Sequence, residues 1–210
     1  MKIVIFGANG KTGSLLVEQA LANGDEVTAF IRTAGSILFD HSKLKIVVGN
    51  LTEKLKLKDV ITGSDACISA LGGSSLTHHS EGIMNGIDNI VSIMEQVGVS
   101  RFIYLSSFGA GESLYYMPQP IRFIIAGVFL RVPLADHNTN EQRISKSKLH
   151  WTIVRPGSLT NGPQKGDLKH GSEKFSMKGN SGISRASVAA FMLLQLTDNQ
   201  YVNKSVWLFE

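Results

Sequence analysis

The chain begins with an apolar run, KIVIF (2–6), that no polar position interrupts. A strand with apolar residues on both faces belongs in the middle of a parallel sheet. Glycines follow at 7, 10 and 13. Leu16, Val17, Ala20 and Leu21 then fall on one helical stripe, which Asn23-Gly24 stops. The alternation continues. EVTAFIR (26–32), KIVVG (45–49), ACISAL (66–71), RFIYLSS (101–107) and WTIVRPG (151–157) read as strands. Lys54–Thr62 reads as a short helix, and Ile83, Ile87, Ile90, Met94 and Val97 repeat at helical spacing up to Gly98. Residues 112–149 read as a longer irregular segment with helix. A punctuated loop follows Pro156. Ala189, Met192, Leu193 and Leu196 mark a last helix, and VWLFE a final strand.

Strands alternating with helices over this length predict an α/β fold, a doubly wound parallel sheet with helices on both faces. No repeat, low-complexity tract or linker divides the chain, so one domain over residues 1–210 is expected. Its C-terminal third is expected to form a small lid region over the carboxyl ends of the strands, where ligands bind in such sheets.

Composition narrows the function. Twenty-one basic and 17 acidic residues give a net charge of +4, too mild for a nucleic-acid partner. The lysines of KLKIVVGNLTEKLKLKD alternate with apolar residues and read as a solvated face. A single cysteine, Cys67, allows no internal disulfide and suits a reducing, cytoplasmic setting. The first apolar run is too short for a signal peptide. The longest, IRFIIAGVFLRVPL (121–134), is short and holds Arg122 and Arg131, so it reads as a buried or lid helix and no membrane partner is expected.

The glycine turn is the first candidate site. Gly7 allows a sharp turn, Gly10 a close backbone approach to phosphates, and Gly13 a close packing of helix on sheet. The helix start supplies free N–H groups to an anion, and Asn9, Lys11 and Thr12 add side-chain donors. The spacing is G-x-x-G-x-x-G, and its place between a first strand and a first helix points to a dinucleotide. A carboxylate at the end of strand two would hold a ribose 2′-OH. Here Arg32 stands there, with Thr33 and Ser36 close by, which favours NADP(H) over NAD(H). A plain surface arginine is the alternative. Asn50, beside Leu51, reads as an acceptor for an adenine amino group or as a helix cap or turn. Leu71-Gly72 after strand four would let a ribose or nicotinamide lie close. Ser106-Ser107 and Arg155-Pro156 end strands five and six on the same edge.

GANGKTG, VVGNLT, SALGG, YLSSFGAG and RPGSLTNGP together resemble the atypical short-chain dehydrogenases/reductases, in the NAD(P)H-binding group of biliverdin-IXβ and flavin reductases and NmrA-like proteins. The resemblance runs over nearly the whole chain. It implies a Rossmann-type sheet, an NADP cofactor and hydride transfer to a flavin, tetrapyrrole or quinone-like acceptor. It also implies cofactor contacts at Gly7, Asn9, Gly10, Lys11, Thr12, Arg32, Asn50, Leu51, Leu71 and Gly72, an active-site serine at Ser107, and Pro156 beside the nicotinamide. Asn50 departs from a common aspartate. Ser158 departs from the histidine of biliverdin-IXβ reductases, which weakens a tetrapyrrole substrate.

No tyrosine here is followed four residues later by lysine; after Tyr104 that position is Phe108. Alcohol oxidation by a tyrosine–lysine pair is therefore not expected. A conjugated acceptor spreads the incoming charge and needs mainly a flat apolar slot. Phe108, Tyr115, Tyr116, Met117 and Phe123 could line one, or simply pack. His137 and Glu141, at i and i+4, would share a helix face, the carboxylate raising the imidazole pKa for proton donation. The alternative makes Asp136 an N-cap and His137 solvated. His78-His79 reads as a loop and no metal site is expected. Three functions follow: an NADPH-dependent reductase of small conjugated acceptors, a non-catalytic NADP(H) sensor of NmrA-like type, and, more weakly, an epimerase or dehydratase of nucleotide sugars.

Overall fold

The computed structural model describes the chain apart from residues 38–39, 74, 120–121, 123–129 and 175–181. β1 (Lys2–Phe6) lies mid-sheet, parallel to β2 (Glu26–Ile31) on one side and β4 (Ala66–Ser69) on the other. Ile3 is in register with both Val27 and Ala66. β3 (Leu44–Val48) adds beyond β2; β5 (Arg101–Leu105) and β6 (His150–Pro156) add beyond β4. With β8 (Lys169–Gly171) and β10 (Lys204–Phe209) the sheet has eight strands among the described residues, in the order β3-β2-β1-β4-β5-β6-β10-β8. Only β8 runs antiparallel to its neighbour. This is a Rossmann-type α/β sheet. The chain winds outward from β1 to β3, then returns to β4 on the other side, so a crevice opens at the carboxyl ends of β1 and β4.

The apolar alternation assigns the two faces. Ile3 and Ile5 pack with α1 (Lys11–Ala22) and α5 (Arg185–Leu194). Val4 and Phe6 share the opposite layer with residues of α2 (Lys54–Ile61), α3 (Glu81–Val97) and α4 (Arg131–Ser145). The predicted stripes face inward: Leu16, Val17, Ala20 and Leu21 in α1 and Ile87, Ile90 and Met94 in α3 are buried, and Ile83 and Val97 of the α3 stripe are partly buried. Gly98, at φ +78, caps α3 in the left-handed conformation. Cys67 is fully buried in β4, and burial pushes its thiol up to about 12.

The C-terminal third does more than the expected lid. β10 and β8 widen the main sheet, and α5 covers one face against α1. What stands at the carboxyl end of β6 is a two-stranded sheet of β7 (Ser158–Thr160) and β9 (Gly182–Ser184). Most of the apolar run 121–134 lies outside the described residues, and so does Phe123. Among the described residues no helix is long and apolar enough to cross a membrane.

Glu210 fastens this end of the chain. Its Oε1 accepts from the Ser184 backbone N–H at 2.9 Å and the Ser187 hydroxyl at 2.8 Å, and its Oε2 pairs with Lys165 at 2.9 Å. Burial opposes its charge, but the donors at the start of α5 together with Lys165 outweigh it and bring the carboxyl pKa to about 2. A carboxyl with a depressed pKa contributes stability above its unfolded value, and that contribution drains as pH falls toward the folded value. Between about pH 5 and about pH 2, the native chain is expected to lose thermal stability faster than Glu210→Gln. Parallel unfolding curves for the two across that range would refute the assignment.

Candidate functional site

A cleft of about 490 Å³ lies at the crevice. Its walls come from the ends of four strands: Gly7, Asn9 and Gly10 after β1, Phe30 to Thr33 at β2, Gly49 to Leu51 after β3, and Ala70 to Gly73 after β4. Ser80, Gly82 and Ile83 complete it from the start of α3. The turn after β1 is held by the Gly10 N–H to the Gly7 carbonyl at 3.0 Å. Gly7 has φ +77, and a Cβ there would meet the Ala70 backbone at 2.9 Å. No side chain caps α1, whose first helical bond runs from Ser14 N–H to the Gly10 carbonyl. The N–H groups of Lys11, Thr12 and Gly13 therefore lack intrahelical acceptors. Arg32 is exposed in the wall and makes no ion pair among the described residues.

A smaller cavity of about 30 Å³ adjoins the cleft and shares Leu71, Gly72, Gly73, Ser80 and Ile83 with it. Its inner wall is polar: Tyr104 from β5, and Asp136, His137 and Asn140 from α4. The Tyr104 hydroxyl lies 2.9 Å from His137 Nδ1 and accepts from Asn140 Nδ2 at 3.0 Å. Burial raises the Tyr104 pKa further above its ordinary value, so the phenol stays protonated. Burial also lowers the His137 pKa, and the carboxylates of Glu141 and Asp136 offset only part of that. Asp136 accepts from the Ser80 backbone N–H at 2.8 Å and pairs with His79 at 2.5 Å. It thereby ties the β4–α3 loop to α4.

The sequence profile of the NAD(P)H-binding family matches residues 7–199. This chain belongs to that family. An uncharacterized chloroplastic protein of Arabidopsis thaliana is 34% identical over 92% of this chain and 72% of its own length. A UPF0659 protein of Saccharomyces cerevisiae is 26% identical over 98% of this chain and 92% of its own. Two solved structures share the fold. ChuY, an anaerobillin reductase from Escherichia coli O157:H7, has a TM-score of 0.81 at 22% identity, covering 100% of this chain and 97% of ChuY. A Veillonella parvula short-chain dehydrogenase/reductase in complex with NADP has a TM-score of 0.83 at 20% identity, covering 100% and 94%.

Within this NAD(P)H-binding chain, the residues expected at the cofactor divide into two groups. Gly7, Asn9, Gly10, Arg32, Asn50, Leu51, Leu71 and Gly72 line the cleft. Lys11 is exposed at the start of α1, while Thr12 and Gly13 are buried beneath the turn. Asn50 is a turn residue: its Oδ1 accepts from the Thr52 N–H and hydroxyl, both at 3.1 Å, which engages the oxygen expected to meet adenine. Ser36 donates to the Thr33 carbonyl at 2.8 Å and does not line the cleft.

Arg155, Ser106 and Pro156 are buried and line neither cavity. The Arg155 guanidinium is clamped between Glu141, at 2.7 and 3.0 Å, and Glu112, at 2.6 and 3.1 Å. Burial works against its charge, but the two glutamates prevail and its pKa is raised. Ser106 donates to the same Glu141 at 2.5 Å. Arg155 and Ser106, expected at the cofactor, are thus both bound to Glu141 and lie outside the lining of the two cavities. Glu141 is engaged with them, and the expected rise of the His137 pKa is replaced by a fall. Asp136 caps no helix start of its own, since it lies inside α4.

Ser107 is partly buried at the end of β5, its hydroxyl donating to the Phe108 carbonyl at 3.3 Å. Phe108 and Met117 pack with Phe209 in a small core of their own, and Tyr115 is 70% exposed. The proposed aromatic slot is not assembled by them. Tyr104 and Asn140 were not anticipated at the site, and Asp136 was anticipated only as a helix cap beside His137. Their partners lie 33 to 57 residues away, so no local spacing reports them. Among the described residues no cluster of three His, Cys, Asp or Glu could hold a metal.

Proposed function

We propose that this chain is an NADPH-dependent oxidoreductase that delivers hydride to a small conjugated acceptor of the flavin or quinone kind. The observation that carries the reading is Arg32, a cation in the cleft wall just after β2 that makes no ion pair among the described residues, where an NAD-preferring site would have a carboxylate. The cleft suits the cofactor: a turn whose Gly7 and Gly10 carry no Cβ leads into a helix start whose first N–H groups have no intrahelical acceptor. In this reading the amides after Gly10, with Asn9, hold the diphosphate. Arg32 and Thr33 hold the 2′-phosphate. Asn50 and Leu51 flank the adenine, and Leu71 and Gly72 border the second ribose.

Dihydronicotinamide, when bound, supplies the hydride. The chain's own residues orient the acceptor and supply the proton. Ser107 offers a hydroxyl at the end of β5, and His137 a ring N–H from α4. The missing tyrosine–lysine pair argues against an alcohol or ketone. A conjugated acceptor needs less acid assistance because its ring system carries the added charge. ChuY, described as a reductase, and the NADP-bound Veillonella protein fit the reading.

The test is NADPH oxidation against a panel of flavins and quinones, with Arg32→Ala alongside. A charge-assisted contact is worth about 1.5–3 kcal/mol, so KM for NADPH is expected to rise roughly 10- to 100-fold, while NADH kinetics change little. Equal effects on both cofactors would refute the 2′-phosphate role. Binding without any turnover across the panel would favour the NADP(H)-sensing alternative.

A further inference from the structure

Asn140 is 2% exposed, and its Oδ1 has no hydrogen-bond partner among the described residues. That imbalance fixes the direction of the hydrogen bonds around it. Asn140 Nδ2 donates to the Tyr104 hydroxyl oxygen. The phenol's one hydrogen then goes to its other neighbour, His137 Nδ1. A neutral imidazole that accepts at Nδ1 carries its proton on Nε2. Turning the Asn140 amide over would reverse the chain. It would leave a buried NH₂ with no acceptor, and unmatched N–H groups are rarer in proteins than unmatched carbonyl oxygens.

We propose that Tyr104, oriented by Asn140, is a positioning residue that locks His137 as the neutral Nε2–H tautomer. His137 and Asn140 stand about one helical turn apart on α4 and both line the small cavity, and this tautomer leaves the ring a neutral Nε2–H donor. That donor suits a neutral acceptor such as a hydroxyl or a water, and a cavity of about 30 Å³ holds one such group. The charged and titratable groups around the ring are Asp136 and Glu141 on α4 and Tyr104 on β5. His79 and Arg155 act on it only through those two carboxylates. Its catalytic consequence, a donor at Nε2 facing the acceptor, rests on the proposed reductase reading; the tautomer itself does not.

The experiment is a two-bond proton–nitrogen correlation spectrum of the whole chain with isotope-labelled histidine near neutral pH. His137 is assigned among the six histidines by the loss of its signals in His137→Gln. The Nε2–H pattern is expected in the parent, and a mixture of both neutral tautomers in Tyr104→Phe. An Nδ1–H imidazole in the parent, or an unchanged tautomer in folded Tyr104→Phe, overturns the proposal. If Tyr104→Phe does not fold, the parent spectrum decides alone. The spectrum requires neither cofactor nor turnover, so it passes or fails independently of NADPH oxidation.

Discussion

Glu141→Ala is expected to destabilise the protein by about 3–5 kcal/mol, the largest single-residue effect its structure predicts. Arg155 is 5% exposed at the side chain and Glu141 7%. Two charges at that depth are tolerable only together, because each replaces the water the other has lost. Removing the carboxylate leaves a buried guanidinium leaning on Glu112, which is 59% exposed and therefore screened. It also leaves the Ser106 hydroxyl without its acceptor. Denaturant midpoints at unchanged slope would measure the loss. Arg155→Met combined with Glu141→Leu should recover much of it, since an apolar pair of similar volume carries no desolvation cost. A loss below about 1 kcal/mol for Glu141→Ala would mean that the clamp does not hold β6, α4 and the 111–116 turn together.

The second large effect is expected at Gly13. In most helices glycine to alanine gains up to about 1 kcal/mol. Here the added Cβ would lie 2.0 Å from the Gly7 carbonyl oxygen, 2.8 Å from its carbon and 2.9 Å from Ala8 Cα. These are backbone atoms of the turn itself, so helix and turn must part. Gly13→Ala is expected to cost about 1–3 kcal/mol and to abolish the calorimetric heat of NADP binding. Gly82→Ala is the matched control. Its Cβ would meet nothing within 4 Å, so stability should hold or improve. A Gly13→Ala protein as stable as its parent, with an unchanged NADP heat, would remove the argument for the turn as the anion site.

Comparison of these residues with the sequence shows what pattern alone can reveal. β1 was legible because Ile3 and Ile5 serve one layer and Val4 and Phe6 the other, which leaves no polar position. Ala70 and Leu71 extended the apparent fourth strand past its last paired residue, Ser69, because both are apolar, lining the cleft wall and packing on the core, and the Ala70 N–H still bonds to the Phe6 carbonyl at 2.9 Å. β8 and β9 are three residues each, too short to carry a period; β10 and β7 define them by pairing. The glycine turn and Arg32 were visible because strand ends in a doubly wound sheet converge by topology. α4 was obscure for the opposite reason. RVPLADHNTNEQRIS has few apolar residues, and its buried ones include Asp136, Asn140 and Glu141. Their partners come from β5, β6 and the β4–α3 loop. The i, i+4 neighbour of His137 was the visible candidate, yet Arg155 offers Glu141 a stronger bond than a neutral imidazole can.

The thiol of Cys67 sits in β4 with Val4 of β1 on one side and Phe102 of β5 on the other, at zero exposure. No reagent dissolved in water can reach that sulfur while α2 and α3 remain packed over its face of the sheet. Because the chain has no other cysteine, its chemical modification would count the openings of that helix layer and any larger unfolding.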